Sequence, residues 1–230
     1  MQILLKVFLF VLPAISFLAS QTNNDSKIIP LNSTDGLKLI NVKTSLVSLH
    51  GKEGLRIEKE DREDNNFPTL VLIEGSNFRN GTIELELAGE PAEGAPENSR
   101  GFVGVAFRID SAITESYECI YLRPTNGRAD NQLQRNHSVQ YVSHPEYPWY
   151  RLRKEEPGVY ESYVDLVPGE WVSIKIVVSG ISAKLYDHGS SQPTLIVNEL
   201  KHGNREGLVG LWLHTSTLAH FRNLKITNSD

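Results

Sequence analysis

The chain has 230 residues, 40% hydrophobic and 22% charged, with a formal net charge of −5. That length suits one all-β domain, and the composition is that of a globular protein rather than a disordered or membrane-spanning one. Basic residues are interspersed with acidic ones, which argues against a nucleic-acid partner, and the single cysteine, Cys119, excludes an internal disulfide or a cysteine zinc cluster.

In chain order, the first element is "MQILLKVFLFVLPAISFLASQ": Lys6, then an apolar run from Val7 to Leu18, then the small residues Ala19 and Ser20. This predicts a secretory signal over residues 1–20, too short in its apolar part to span a bilayer comfortably. The expected product is secreted, periplasmic or extracellular, and carries no membrane attachment after cleavage. Absence of a cysteine near the cleavage point closes the bacterial lipoprotein route. Residues 21–36, polar and turn-rich, read as a flexible tether, and residues 37–230 as one folded domain.

Beyond Leu37, runs rich in Val, Ile, Leu, Phe and Tyr recur with Gly, Asn, Asp or Pro between them, the spacing of an all-β sandwich. The clearest predicted strands are "LRIEK", "TLVLIEG", "GTIELELAG", "GFVGVAFRID", "YECIYLR", "HSVQYVS", "YESYVDLV", "WVSIKIVVSG", "SAKLYD", "TLIVNEL", "GLVGLWLH" and "AHFRNLKIT". No stretch keeps apolar residues at helical spacing for three turns, so helix should be scarce. Alternation assigns faces. Val103, Val105, Phe107 and Ile109 form a core side; Phe102, Gly104, Ala106 and Arg108 form a shallow floor that could lie under a ligand. Val172, Ile174, Ile176 and Val178 form a second core side, with Trp171, Ser173 and Lys175 on the wetter face. Cys119, inside "YECIYL", reads as a buried, inert thiol.

The closing half, "GEWVSIKIVVSGISAKLYDHG" followed by "GLVGLWLHTSTLAHFRNLKIT", resembles concanavalin A-like lectin/glucanase jelly rolls. Together with "SNFRNGTIELELAG" and "GFVGVAFRI", it is similar to the bacterial branch of laminin-G-like and 3-keto-disaccharide hydrolase-like domains, related to family 16 glycoside hydrolases. The resemblance implies an antiparallel two-sheet jelly-roll sandwich. It does not choose an activity, because this fold hosts lectins, hydrolases and adhesion modules.

Retaining laminarinase-type enzymes of this fold carry Glu-x-Asp-x-(x)-Glu on one strand, since retention needs two carboxylates roughly 5 Å apart. The nearest counterpart, "TIELELAGEP", alternates Glu84 and Glu86 but displaces Glu90 beyond a glycine, and reads as outward-facing glutamates opposite Ile83, Leu85 and Leu87. The stronger candidate is "LRPTNGRADNQLQRNHSVQY". Pairing of "YECIYLR" with "HSVQYVS" brings Tyr121, Arg123, Asn126, Arg128, Arg135, Asn136, His137 and either Gln140 or Tyr141 towards one mouth, with Arg108 on the neighbouring floor. Guanidinium and amide groups pair with vicinal hydroxyls and an aromatic face covers a sugar's C–H side, so the expected partner is a carbohydrate or glycoside. The bland alternative is a hydrated turn whose arginines pair with nearby acids. The segment "SHPEYPWYRLRKEEPG" follows, and its Trp149 serves either a lid or a cap on one end of the sandwich.

The histidines lack the close spacing of a metal site, and no cofactor is expected. A structural calcium on backbone carbonyls, as the resemblance allows, would leave no sequence trace. The sequons "NDS", "NST", "NGT" and "NHS" matter only in a eukaryotic secretory pathway. The reading is a secreted carbohydrate-binding jelly roll, whose enzymatic form would hydrolyse or cleave a modified (keto-)glycoside; a noncatalytic glycan-recognition or adhesion module is the alternative. The signal reading predicts a mature chain beginning near Gln21, which intact mass measurement of exported protein checks; Met1 retained in a membrane fraction would contradict it.

Overall fold

A computed structural model describes residues 26–60 and 68–229. The expected signal, residues 1–20, lies outside the described residues. The strands are β1 (Ser26–Ile29), β2 (Leu37–Ile40), β3 (Val42–Leu49), β4 (Lys52–Lys59), β5 (Thr69–Phe78), β6 (Asn80–Pro91), β7 (Val103–Ile109) and β8 (Tyr117–Leu122). Two short helices follow, α1 (Pro124–Gly127) and α2 (Gln132–Arg135), then β9 (Val139–His144), α3 (Trp149–Glu155) and β10 (Glu161–Ser162). The chain closes with β11 (Val172–Ser179), β12 (Ser182–Asp187), β13 (Leu195–Val197), β14 (Gly207–Leu213) and β15 (Thr217–Ser229).

These strands form two antiparallel sheets. The first runs β13-β12-β11-β6-β15-β4-β3, with β1 also paired to β15; the second runs β10-β9-β8-β7-β14-β5-β2. Period-2 alternation builds the core between them: Ile83, Leu85 and Leu87 from β6 and Val172, Ile174, Ile176 and Val178 from β11 are all buried. Val103 of β7 meets them from the second sheet. A Cβ at Gly89 would lie 2.6 Å from Val103 Cγ1, so the sheets approach closely there because β6 has no side chain at that point. Every residue of β7 and β8 is buried, so the middle of the second sheet is covered on both faces.

The expected tether is in part structure. Ser26–Ile29 pairs with Leu224–Thr227, and Leu31 is buried in the core. The reason lies in β15, whose one edge is filled by β6 while the other pairs β4 only over Ala219–Phe221. Its remaining backbone groups need partners, and β1 supplies them. The predicted strand "YESYVDLV" shrinks to Glu161–Ser162, because Val164 exchanges hydrogen bonds with the Ser138 hydroxyl instead of continuing the ladder.

Arg108 is a second correction. The register of β7 on β14 shifts between Leu208 and Gly210, and Arg108 has φ of 52°, the signature of a bulge. The bulge breaks the alternation and turns the guanidinium away from the expected floor. It is fully buried and donates to the carbonyls of Arg79 (2.6 Å), Gly203 (2.6 Å) and Gly180 (2.7 Å), tying three turns together. Cys119 is fully buried as expected, and burial pushes its thiol well above the usual value.

Phe107→Ala should cost about 3–5 kcal/mol through lost burial and cavity formation. Arg108→Ala should cost a comparable amount, about 3–5 kcal/mol, by emptying a buried site and removing the hydrogen bonds that tie three turns together. Equilibrium denaturation checks both, and a small effect at Arg108 would contradict its structural role. On the outer face of the first sheet, His220 is buried edge-on to Trp171 (6.2 Å), and burial, reinforced by Arg56 and His50, lowers its pKa from 6.5 to about 4. A depressed folded-state pKa for a base means its stabilising contribution is full above the unfolded value and is lost as pH falls from 6.5 towards 4. Melting temperatures across that window should therefore fall more steeply in the parent than in His220→Gln; equal slopes would refute this.

Candidate functional site

On either side of β9 the chain leaves the second sheet, and the three short helices of these two connections border a cleft of about 470 Å³. Pro124 starts α1 with the φ that a first helical position needs. Gly127 ends it where a side chain would not fit: a Cβ there would lie 2.4 Å from the Leu166 nitrogen. The Asn131 side chain caps α2 by accepting from the Gln134 N–H (3.0 Å). Pro148 precedes α3, Leu152 anchors that helix in the core, and an Arg151–Glu155 pair (2.9 Å) supports its outer side. Trp149 and Arg153, four residues apart, therefore share the remaining face, with the guanidinium carbon 4.8 Å from the indole centroid.

Phe102 and Arg123 form the floor of the cleft; Leu133, Gln134 and His137 stand on one side, and Trp149 and Arg153 on the other. The chemical centre is Glu161, whose side chain is only 3% exposed. Its register partner on β9 is Gln140, which in turn pairs with Tyr121 of β8, so a single row of the sheet delivers the carboxylate behind the floor. Arg153 donates to Glu161 through Nε (3.0 Å) and Nη2, and Arg123 Nη1 lies 3.7 Å from Oε1. His137 Nδ1 is 2.6 Å from Oε2, at ion-pair distance but not aligned for a hydrogen bond.

Arg123 is fixed on every side. It donates to the His137 carbonyl (2.9 Å), the Tyr121 hydroxyl (2.8 Å) and Gln140 Oε1 (3.1 Å), and its guanidinium carbon lies 5.3 Å from the Phe102 centroid. Gln140 is oriented by donating to the carbonyls of Tyr141 (2.9 Å) and Tyr160 (3.2 Å). Burial lowers the His137 pKa; Glu161 opposes that shift, and Arg153 and Arg123 add to it. The imidazole is thus neutral at neutral pH. Burial pushes the Tyr121 phenol up to about 12, so it stays protonated while accepting from Arg123.

Of the residues expected at one mouth, Arg123, Asn126 and His137 line the cleft, and Tyr121 and Gln140 support it from behind. The others do not converge. Arg128 is turned to an exposed pair with Asp165 (2.8 Å), Arg135 lies over Tyr163 (5.0 Å), and Asn136 accepts from Gln132 (2.7 Å). Tyr141 lies on the opposite face of its strand from Gln140, donating to buried Glu118 (2.6 Å) and accepting from the Lys201 N–H (2.8 Å). Nor does the small floor residue Gly104 make room for a ligand. Tyr121 and Trp212, its two cross-strand partners, fill that space by packing 4.9 Å apart.

Phe102 lies on the cleft floor, as the alternation in "GFVGVAFRID" predicted, whereas Arg100, Asn131, Leu133, Gln134, Arg153 and Glu161 were not expected at the site. One signal was available: proline followed by Trp149 and Arg153 at i, i+4 marks a helix start with one shared face, in a helix too short for a three-turn criterion. Glu84 and Glu86 sit on the outer face of the first sheet, where Lys225 lies 3.5 Å from Glu84 and Lys52 lies 3.0 Å from Glu86. They are surface ion-pair partners on a central strand, remote in topology from the cleft. Among the described residues, no three His, Cys, Asp or Glu side chains converge as metal ligands.

No protein-family model and no curated protein matches the sequence. Solved structures do match in shape. The carbohydrate-binding module CBM66 from Bacillus subtilis superposes with a TM-score of 0.52 at 14% identity, covering 83% of this chain and 95% of that one. A protein of unknown function with a galectin-like fold, also from Bacillus subtilis, gives 0.53 at 10% identity over 88% of this chain and 94% of its own. A Crh5 transglycosylase in complex with NAG gives 0.52 at 10% identity over 89% and 84%. At these identities the likeness speaks for architecture alone: the chain has the antiparallel two-sheet sandwich of the concanavalin A-like jelly rolls.

Proposed function

We propose that this protein is an exported glycan-binding module whose site is the cleft between α2 and α3. The observation that carries the reading is the Glu161 cluster beneath Phe102 and Trp149. Arg123, His137 and Gln134 offer fixed polar groups, and Trp149, 43% exposed, offers a partly open aromatic surface beside Arg153. A pyranose presents vicinal hydroxyls at its edge and C–H groups on its face, and this combination meets both. The fold relatives support it: a carbohydrate-binding module and a transglycosylase holding NAG share the architecture.

One observation favours a second, enzymatic reading, in which a modified glycoside is cleaved. A neutral His137 beside a carboxylate can accept a proton near neutral pH. Against glycosidic hydrolysis by two carboxylates stands the lining of the cleft, which among the described residues includes no carboxylate at all, Glu161 being enclosed behind it. Recognition is therefore the primary reading.

The test is a glycan-array screen of the protein, followed by calorimetry and product analysis on any hit. Trp149→Ala should weaken binding about tenfold or more while shifting the melting temperature little, because the ring is half exposed. Unchanged affinity in Trp149→Ala would remove the cleft from the reading. Product release from a hit, abolished in His137→Ala, would replace recognition by catalysis.

A further inference from the structure

The charge of the cleft is out of character with the chain. A protein of net charge −5 places three guanidiniums, Arg100, Arg123 and Arg153, around one cleft, and no acid is among the lining residues. Two of the three are already committed: Arg123 and Arg153 share the single carboxylate of Glu161, which cannot neutralise both. Arg100 has no acid within ion-pair distance among the described residues, and the one hydrogen bond its guanidinium makes there is a long one, from Nη1 to the Ser99 carbonyl (3.3 Å). Its Nε and Nη2, and Nη1 of Arg153, have no hydrogen-bond partner among the described residues. Neutral His137 adds no charge, and the adjoining hollow that shares Arg100 and Phe102 brings one acid, the exposed Glu93.

We infer that the saccharide taken by this cleft is a uronic-acid unit, its carboxylate docked on the spare donors of Arg100 and Arg153 and its ring against Phe102 and Trp149. The inference rests on the glycan-binding reading above. A carboxylate suits the donors left over, since guanidinium matches it in planar, paired hydrogen bonds. Glu161 offsets one of the two guanidiniums paired to it, so the excess positive charge of the cleft is that of Arg100 and of one of Arg123 and Arg153, and it favours an anion over a neutral sugar. The same chemistry could be met by a sulfate ester, which guanidinium also pairs with through two oxygens, and a sulfated oligomer distinguishes the two.

The experiment measures dissociation constants of the whole protein for short oligomers of galacturonic, glucuronic and mannuronic acid. Each is compared with its carboxyl-reduced neutral counterpart and with a sulfated neutral oligomer. At least one uronate series should bind about tenfold tighter than its reduced form, with the advantage shrinking as salt rises. Arg100→Gln should abolish most of that advantage without lowering the melting temperature. Equal affinity for acid and reduced forms overturns the carboxylate assignment and leaves glycan binding standing. Binding of the sulfated oligomer in preference to every uronate also overturns it. An Arg100→Gln variant that keeps the full preference overturns the placement. Failure of every glycan, charged or neutral, overturns the glycan-binding reading itself.

Discussion

Taking a carboxylate out of water costs several kcal/mol unless charge and donors meet it, and the arrangement of the cleft follows from how Glu161 is met. The carboxylate arrives on β10, a two-residue strand held by register to Gln140, and draws Arg123 from the end of β8, Arg153 from α3 and His137 from the turn after α2. Three separate segments are thereby fixed around one buried charge. The cluster ties the helical segments on either side of β9, Pro124–Arg135 and Trp149–Glu155, to the edge of the second sheet. It also explains why Arg123 and His137, polar residues in a β protein, are largely enclosed rather than solvated.

That enclosure separates recognition from chemistry. A catalytic carboxylate must reach the substrate, whereas Glu161 is held by two guanidiniums behind the lining of the cleft. Its work is positional: it orients Arg153 under Trp149 and Arg123 against Phe102. His137 alone combines access with a pKa lowered by burial, and any proton transfer at this site would pass through it. The architecture shared with a carbohydrate-binding module and a transglycosylase, at 14% and 10% identity, is compatible with either use, because the sandwich positions side chains without dictating them.

Much of the fold was legible because its signal is local. Alternation in "WVSIKIVVSG" and "GTIELELAG" placed Ile176, Val178, Ile83 and Leu85 in the core, where they lie. The failures share a cause, in that each depends on a neighbour distant in sequence. Period-2 reasoning cannot see the bulge that turns Arg108 inward, nor the vacant edge of β15 that makes a strand of Ser26–Ile29. The site was legible to the extent that loop composition pointed to Arg123, Asn126 and His137. Glu161 gave no sign, because a lone glutamate in "YESYVD" acquires meaning only when Arg123 and Arg153 close on it.

A crystal structure of the protein soaked with a saccharide identified by binding tests the central claim most directly, since it locates the ligand without reference to any variant. The account predicts a sugar ring seated between Phe102 and Trp149, with a hydroxyl or carboxylate oxygen within hydrogen-bond distance of Arg123, Arg153 or Arg100. A sugar bound instead on the outer face of the first sheet, along Glu84, Lys175 and Tyr186, with the cleft between α2 and α3 empty, would contradict it.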